Sequence, residues 1–187
     1  MSLSQSLARR VLGLFGWKMI EGPPVPAKAV LIAYPHTSNW DLAVTLLGLV
    51  ALGITPRWVG KDTMFRGWKG PIMRRLGGIP VNRRERTGFV DRMAEEFAAH
   101  DHFLLAIAPE GTRARADGWK SGFWRIALAA QVPVVAGVAD YRRKEAGIVA
   151  VLTMSGDEAA DMAELERIYS GREGRRPDNA SPIRLLK

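Results

Sequence analysis

Short apolar runs alternate with longer segments of helical period along most of this chain, and that alternation is what most limits its fold. The runs Ala29–Tyr34, Arg57–Gly60, Ile79–Val81, Phe103–Ala108, Val134–Ala139 and Ile148–Met154 read as strands. Between and around them, Leu3–Trp17, Trp40–Leu52, Phe65–Leu76, Thr87–His100, Gly122–Gln131 and Glu158–Tyr169 read as helices. Strands separated by helices predict an α/β fold, with a mixed, largely parallel sheet flanked by helices. With 187 residues and no internal repeat or linker, the chain is expected to form a single domain over residues 21–169. The tail, residues 170–187, is rich in Gly, Arg, Pro, Asp and Asn and is expected to be loosely ordered.

In such a sheet, ligands collect at the carboxyl ends of the strands. Polar motifs stand at several of these ends. His36 follows the first run, within the octet Tyr34-Pro35-His36-Thr37-Ser38-Asn39-Trp40-Asp41. Lys61 follows the second, Arg83 the third, and Glu110-Gly111-Thr112-Arg113 the fourth. An imidazole held by a carboxylate makes a general base that works near neutral pH. Along one continuous helix, however, residues five apart are turned about 140° from each other. His36 and Asp41 can meet only if a helix starts between them, near Ser38 or Asn39. Asp41 would then lie in the first turn, where the helix dipole favours a negative charge. Taken alone, the pair reads as a loop histidine and a helix-start residue; the motifs at the other strand ends turn it toward a site.

Lys61, Arg83 and Arg113 would together make a cradle for a phosphate monoester, the arginines by bidentate hydrogen bonding. Gly111 permits a tight turn and Thr112 offers a hydroxyl. Glu110 is expected to support Arg83 or Arg113, or to accept a hydrogen bond from a substrate hydroxyl, rather than to act as a second base.

Composition narrows the partners. Lys and Arg number 27 against 19 Asp and Glu, a net charge of +8, which favours an anionic partner. Without cysteine there is no thiol nucleophile, disulfide or thiolate metal site. His100-Asp101-His102 offers no third or fourth ligand, so no metal is expected. The tryptophans sit beside apolar segments and fit packing or membrane contact better than nucleic acid. The uncharged stretch Leu42–Pro56 is shorter than the roughly 20 residues that span a bilayer and reads as a buried helix. Residues 1–20 place Leu7, Val11, Leu14 and Phe15 at helical spacing beside Arg9, Arg10 and Lys18. That pattern suits either a helix lying in a membrane interface or one packed on the domain.

From about Ala29 to Ala139 the chain resembles the glycerolipid acyltransferases typified by 1-acylglycerol-3-phosphate (lysophosphatidate) acyltransferases. His36 through Asp41 is similar to their His-x-x-x-x-Asp catalytic motif. Lys61 and Gly78–Arg83 resemble the acceptor-binding block, Pro109–Arg113 the Pro-Glu-Gly-Thr-Arg block, and Val132-Pro133-Val134 the fourth block. Pro35, Pro80 and Ala108 depart from the usual family residues.

The resemblance implies direct transfer of an acyl group from acyl-CoA or an acidic acyl-carrier protein to the hydroxyl of a lyso-lipid. His36 would be the base, Asp41 its orienter, and no cofactor would be needed beyond the donor substrate. It also implies a cytoplasmic protein, peripheral on the inner face of the membrane. A phosphoester hydrolase using the same basic cleft, and a non-catalytic module binding membrane lipid or nucleic acid, are the competing readings.

Overall fold

The computed structural model describes residues 1–81 and 88–186. In chain order the first elements are α1 (Leu3–Leu14), β1 (Lys18–Ile20), β2 (Lys28–Tyr34), α2 (Asn39–Leu52), β3 (Arg57–Lys61), α3 (Lys69–Arg75) and β4 (Gly78–Val81). Then come α4 (Phe89–Ala99), β5 (Phe103–Ile107), α5 (Gly122–Ala130), β6 (Val134–Asp140), β7 (Glu145–Leu152) and α6 (Glu158–Tyr169). The strands form one seven-stranded sheet in the order β1-β7-β6-β2-β5-β3-β4. From β6 to β4 all neighbours are parallel, whereas β7 returns antiparallel to β6 and β1 joins parallel to β7. The expected α/β architecture with a mixed, largely parallel sheet is therefore the observed one.

Central β2 shows why the sheet is covered on both faces. Ala29, Val30, Leu31 and Ile32 are all fully buried, and alternate side chains point to opposite sides. Val30, Ile32 and Tyr34 join a core completed by Met93 and Phe97 of α4, Phe123 and Ile126 of α5, and Leu165 and Tyr169 of α6. Ala29 and Leu31 face the other layer, where Leu49 of α2 packs on them. In that layer Ala8 and Leu12 of α1 pack with Val44 and Ala51 of α2. Fully burying a Leu or Phe side chain stabilises a domain by roughly 1.5–3 kcal/mol, so both layers contribute substantially.

Several boundaries differ from the sequence reading. β1 has no counterpart in it: three residues between a helix and a proline-rich loop carry no period, and only pairing with β7 makes them a strand. α1 stops at Leu14 because Gly16 adopts a left-handed conformation. α3 is shorter than expected because a 3₁₀ turn over Asp62–Phe65 and a left-handed Gly67 precede it. α2 is buried on one side only, leaving Leu42 and Val50 exposed, so Leu42–Pro56 is not the wholly buried helix its composition suggests. Among the described residues no helix is long and apolar enough to cross a membrane.

The tail is the clearest correction. Its residues form little regular structure, yet they are pinned rather than loose. Trp119 and Leu185 form a β-bridge, Ser181 is 1% exposed, and Leu185 is buried. Composition favours a solvated tail, but its backbone polar groups find partners along the carboxyl edge of the sheet.

Candidate active site

The parallel strands β2, β5 and β3 are consecutive in the sheet and end on one edge. Extending their registers puts Tyr34, Pro109 and Lys61 on one rung. His36 and the Glu110–Arg113 turn thus lie just beyond neighbouring strand ends. Lys61 stands two strands from β2, about 10 Å away at ordinary strand spacing.

The helix start that the His36–Asp41 spacing requires is present. Ser38 is the N-cap of α2 and Asp41 its third residue. The Asp41 carboxylate folds back over the turn and is 1% exposed. Its Oδ2 accepts the backbone N–H groups of Thr37 (2.5 Å) and Ser38 (2.7 Å), and its Oδ1 accepts the Ser38 hydroxyl. His36 Nδ1 lies 4.0 Å from Oδ2, beyond hydrogen-bond range but within electrostatic reach. Asp41 therefore acts on the imidazole through its charge and through the turn that carries it.

The His36 side chain is 23% exposed. Burial holds its pKa below the usual 6.5; Asp41 pulls it up, and the Arg113 guanidinium pushes it down. The net effect keeps the imidazole neutral, as a base must be. Arg113 is exposed, and its guanidinium donates to the Asn39 side-chain carbonyl at the start of α2. The basic side chain is thereby set beside the His36–Asp41 turn. Thr112 is exposed, and its hydroxyl accepts the Ala114 N–H. Gly111 has a φ of +64°, and a β-carbon there would come within 2.8 Å of the Lys120 side chain. Only glycine allows that turn and that approach together.

Lys61 is exposed at the end of β3, two strands from the one that leads to His36. Arg83 lies outside the described residues.

Glu110 differs from its expected role. It is 1% exposed, and its carboxylate supports the backbone rather than Arg113 or an acceptor hydroxyl. Oε2 accepts the His36 N–H at 2.6 Å and Oε1 accepts the Ser181 N–H at 2.8 Å. Burial raises its pKa, while these two N–H groups oppose the shift. A carboxylate this buried is tolerated because donors face both oxygens.

Sequence reasoning misses Tyr141, which follows β6 beside β2. Its phenol pKa is pushed up to about 12, first by burial and then by the negative charge of Asp41. The ring packs edge-on against Trp17, and its hydroxyl is buried without a protein partner of hydrogen-bonding geometry among the described residues. Its signal in the sequence is position alone: a tyrosine directly after a strand end.

A family model described as Acyltransferase matches residues 20–139, well over half the chain, and spans all four blocks. The chain belongs to the acyltransferase family. This acyltransferase is similar in fold to the 1-acyl-sn-glycerophosphate (LPA) acyltransferase PlsC from Thermotoga maritima, known from a crystal structure. The TM-score is 0.60 at 16% identity, covering 89% of this chain and 76% of that one. At that identity the likeness speaks for the fold. Comparison with curated protein sequences finds no match. Family membership makes the protein an acyltransferase and sets aside the hydrolase and the non-catalytic module.

Proposed function

We propose that this acyltransferase moves a fatty acyl group from an acyl-CoA or acyl-carrier-protein thioester to the hydroxyl of a lysophospholipid. The observation that carries the reading is the placement of a largely buried His36 at the end of β2, with Asp41 behind it and Arg113 beside it. His36 presents Nδ1 toward Asp41, which leaves Nε2 to take the proton of the acceptor hydroxyl. The acceptor oxygen attacks the thioester carbonyl. The tetrahedral intermediate then expels the thiolate, which recovers the proton from the imidazolium. Buried Asp41 stabilises that imidazolium electrostatically. Positioned base catalysis of this kind contributes about 10²–10⁴-fold. The N–H groups of His36, Thr37 and Ser38 are committed to Glu110 and Asp41, so their role is to fix the turn.

Arg113, with Lys61 and Arg83, supplies the positive charge for a phosphorylated acceptor. The likeness in fold to PlsC, a 1-acyl-sn-glycerophosphate acyltransferase, supports that acceptor class.

A membrane surface is the proposed partner. α1 and α2 pack together, and their layer exposes Leu3, Leu7, Leu14, Phe15, Leu42 and Val50, with Arg10 and Lys18 also exposed. Apolar side chains beside cations suit the interface of an anionic bilayer. α2 begins at the catalytic turn, and Trp40, 61% exposed, directly precedes Asp41. A surface-bound enzyme would thus hold His36 close to a lipid acceptor, as expected of a peripheral protein on the cytoplasmic face.

The deciding assay is thiol release from acyl-CoA and from acyl-carrier protein with a panel of lyso-lipids. Transfer that requires a lyso-lipid and vanishes in His36→Ala supports the reading. Full activity in His36→Ala would refute it.

A further inference from the structure

The tail crosses the strand ends that carry the site. Arg172 pairs with Asp140 (3.3 Å) and Glu145 (2.6 Å), and the Glu173 carbonyl accepts the Tyr141 N–H at 2.8 Å, anchoring the segment beside β6. At β2, the Arg176 N–H donates to Thr37 Oγ1 at 3.1 Å, and the Arg175 guanidinium lies 5.4 Å from the Trp40 ring centroid. At β5, the Ser181 N–H donates to Glu110, whose other oxygen holds the His36 N–H. Ser181 also accepts through both of its oxygens: its carbonyl takes the Tyr34 hydroxyl and its own hydroxyl the Ala116 N–H. Gly174 is buried so tightly that a β-carbon would come within 2.6 Å of Thr37 Oγ1 and 3.1 Å of Pro35 Cβ.

We propose that the segment Arg172–Ser181 is a strap that positions the catalytic turn, with Glu110 as the pin joining Ser181 to His36. Glu110, Thr37 and Ser181 are then positioning residues for the acyl transfer, because each acts on the imidazole through the backbone of the turn. Buried N–H groups seek acceptors, so the carboxylate and the Thr37 hydroxyl couple two segments that are distant in sequence. The low basicity of His36 depends on its burial, and the strap packs over the turn that carries it. This proposal rests on His36 being the base of the proposed reaction.

Thr37→Val removes the acceptor for Arg176 without changing side-chain volume appreciably, and Thr37→Ser restores it. Ser181→Pro removes the N–H donated to Glu110, and the extended Ala180 before it suits a proline. Gly174→Ala presses the strap off the turn. The enzyme has three histidines, so His36 can be assigned in an NMR titration of the imidazoles by comparison with His36→Gln. In Thr37→Val, Ser181→Pro and Gly174→Ala, kcat should fall about tenfold to 10²-fold, the scale of a misplaced catalytic group. KM should stay within about twofold, and the His36 titration should move up toward 6.5. Thr37→Ser should keep both near the wild-type values.

The strap is refuted if folded variants keep kcat and the His36 titration, or lose kcat while the titration stands still. It is also refuted if all three variants fail to fold, since the tail would then be part of the domain's framework and not a positioning device. Wild-type enzyme that transfers no acyl group would refute the proposed reaction instead, and the titration would still decide whether the strap holds His36.

Discussion

Asp41 Oδ2 and His36 Nδ1 stand 4.0 Å apart, while Asp41 binds the two backbone N–H groups that follow the histidine. The carboxylate therefore does two things with one geometry: it closes the start of α2, and it places a negative charge behind the imidazole. The two roles can be separated by mutation. His36→Ala should remove about 10²–10⁴-fold of kcat while leaving the melting temperature nearly unchanged, because a partly exposed side chain is lost. Asp41→Ala leaves the buried N–H groups of Thr37 and Ser38 without their acceptor. It should lower both kcat and stability, the latter by about 1–3 kcal/mol for a buried unsatisfied group. Thermal melting alongside initial rates checks both outcomes. A stable, inactive Asp41→Ala would mean that the carboxylate serves chemistry alone.

The pH profile follows from the imidazole. The proposed base works only when unprotonated, and burial holds the His36 pKa below 6.5. The profile of kcat/KM should therefore be flat at pH 7 and fall only below 6.5, as protons return to His36. The same depression affects folding. The unfolded chain binds a proton near 6.5 and the folded chain only at lower pH, so the stability from a neutral His36 is present above 6.5 and lost as pH falls toward the folded pKa. Rates measured from pH 5 to 8, with unfolding followed over the same range, test both. An acid limb centred above 6.5 would contradict the burial of the imidazole.

In the proposed reaction Arg113 connects acceptor binding to that profile. Its charge lowers the His36 pKa, and its guanidinium is set beside α2 by Asn39. Arg113→Ala should raise KM for a phosphorylated acceptor by about tenfold or more, given roughly 1.5–3 kcal/mol for a hydrogen bond to a charged group. It should also shift the acid limb upward. Arg113→Lys should retain the charge effect but lose bidentate binding, leaving the pH profile near wild type with a raised KM. If Arg113→Ala leaves KM unchanged for every phosphorylated acceptor, the guanidinium does not grip the phosphate.

How much of this is legible in the sequence depends on the range over which each feature is determined. The central strands and the start of α2 are readable because apolar period and an N-cap are local signals. The convergence of His36 and Glu110–Arg113 follows from strand-end logic, since parallel neighbours end on one edge. Three features are not readable, because each rests on pairing across long sequence separations. β1 exists through β7, 127 residues away at the Lys18–Glu145 rung. A carboxylate among cations suggests an ion pair on the substrate side, yet the actual partners of Glu110 are two backbone N–H groups, 74 and 71 residues away. Composition points the tail toward solvent, because it does not register hydrogen bonds to distant strand ends.

The first helix offers two alternatives, an interfacial helix or a packed one, and its geometry accommodates both. Ala8 and Leu12 are buried against α2, while Leu7, Leu14 and Phe15 are 62%, 85% and 71% exposed. The exposed side chains can be replaced without opening the core. Leu7→Ser with Phe15→Ser should therefore leave the melting temperature within about 1–2 °C, consistent with the small effects of surface substitutions. If this face meets lipid, the double variant should co-sediment several-fold more weakly with vesicles containing anionic lipid. Its activity on a water-soluble short-chain acceptor should be retained, and activity on vesicle-borne acceptor should fall. Arg10→Glu should weaken binding to anionic vesicles but not to neutral ones, and high salt should reduce that difference by screening. Equal co-sedimentation of wild type and the double variant would place the lipid-facing surface elsewhere on the domain.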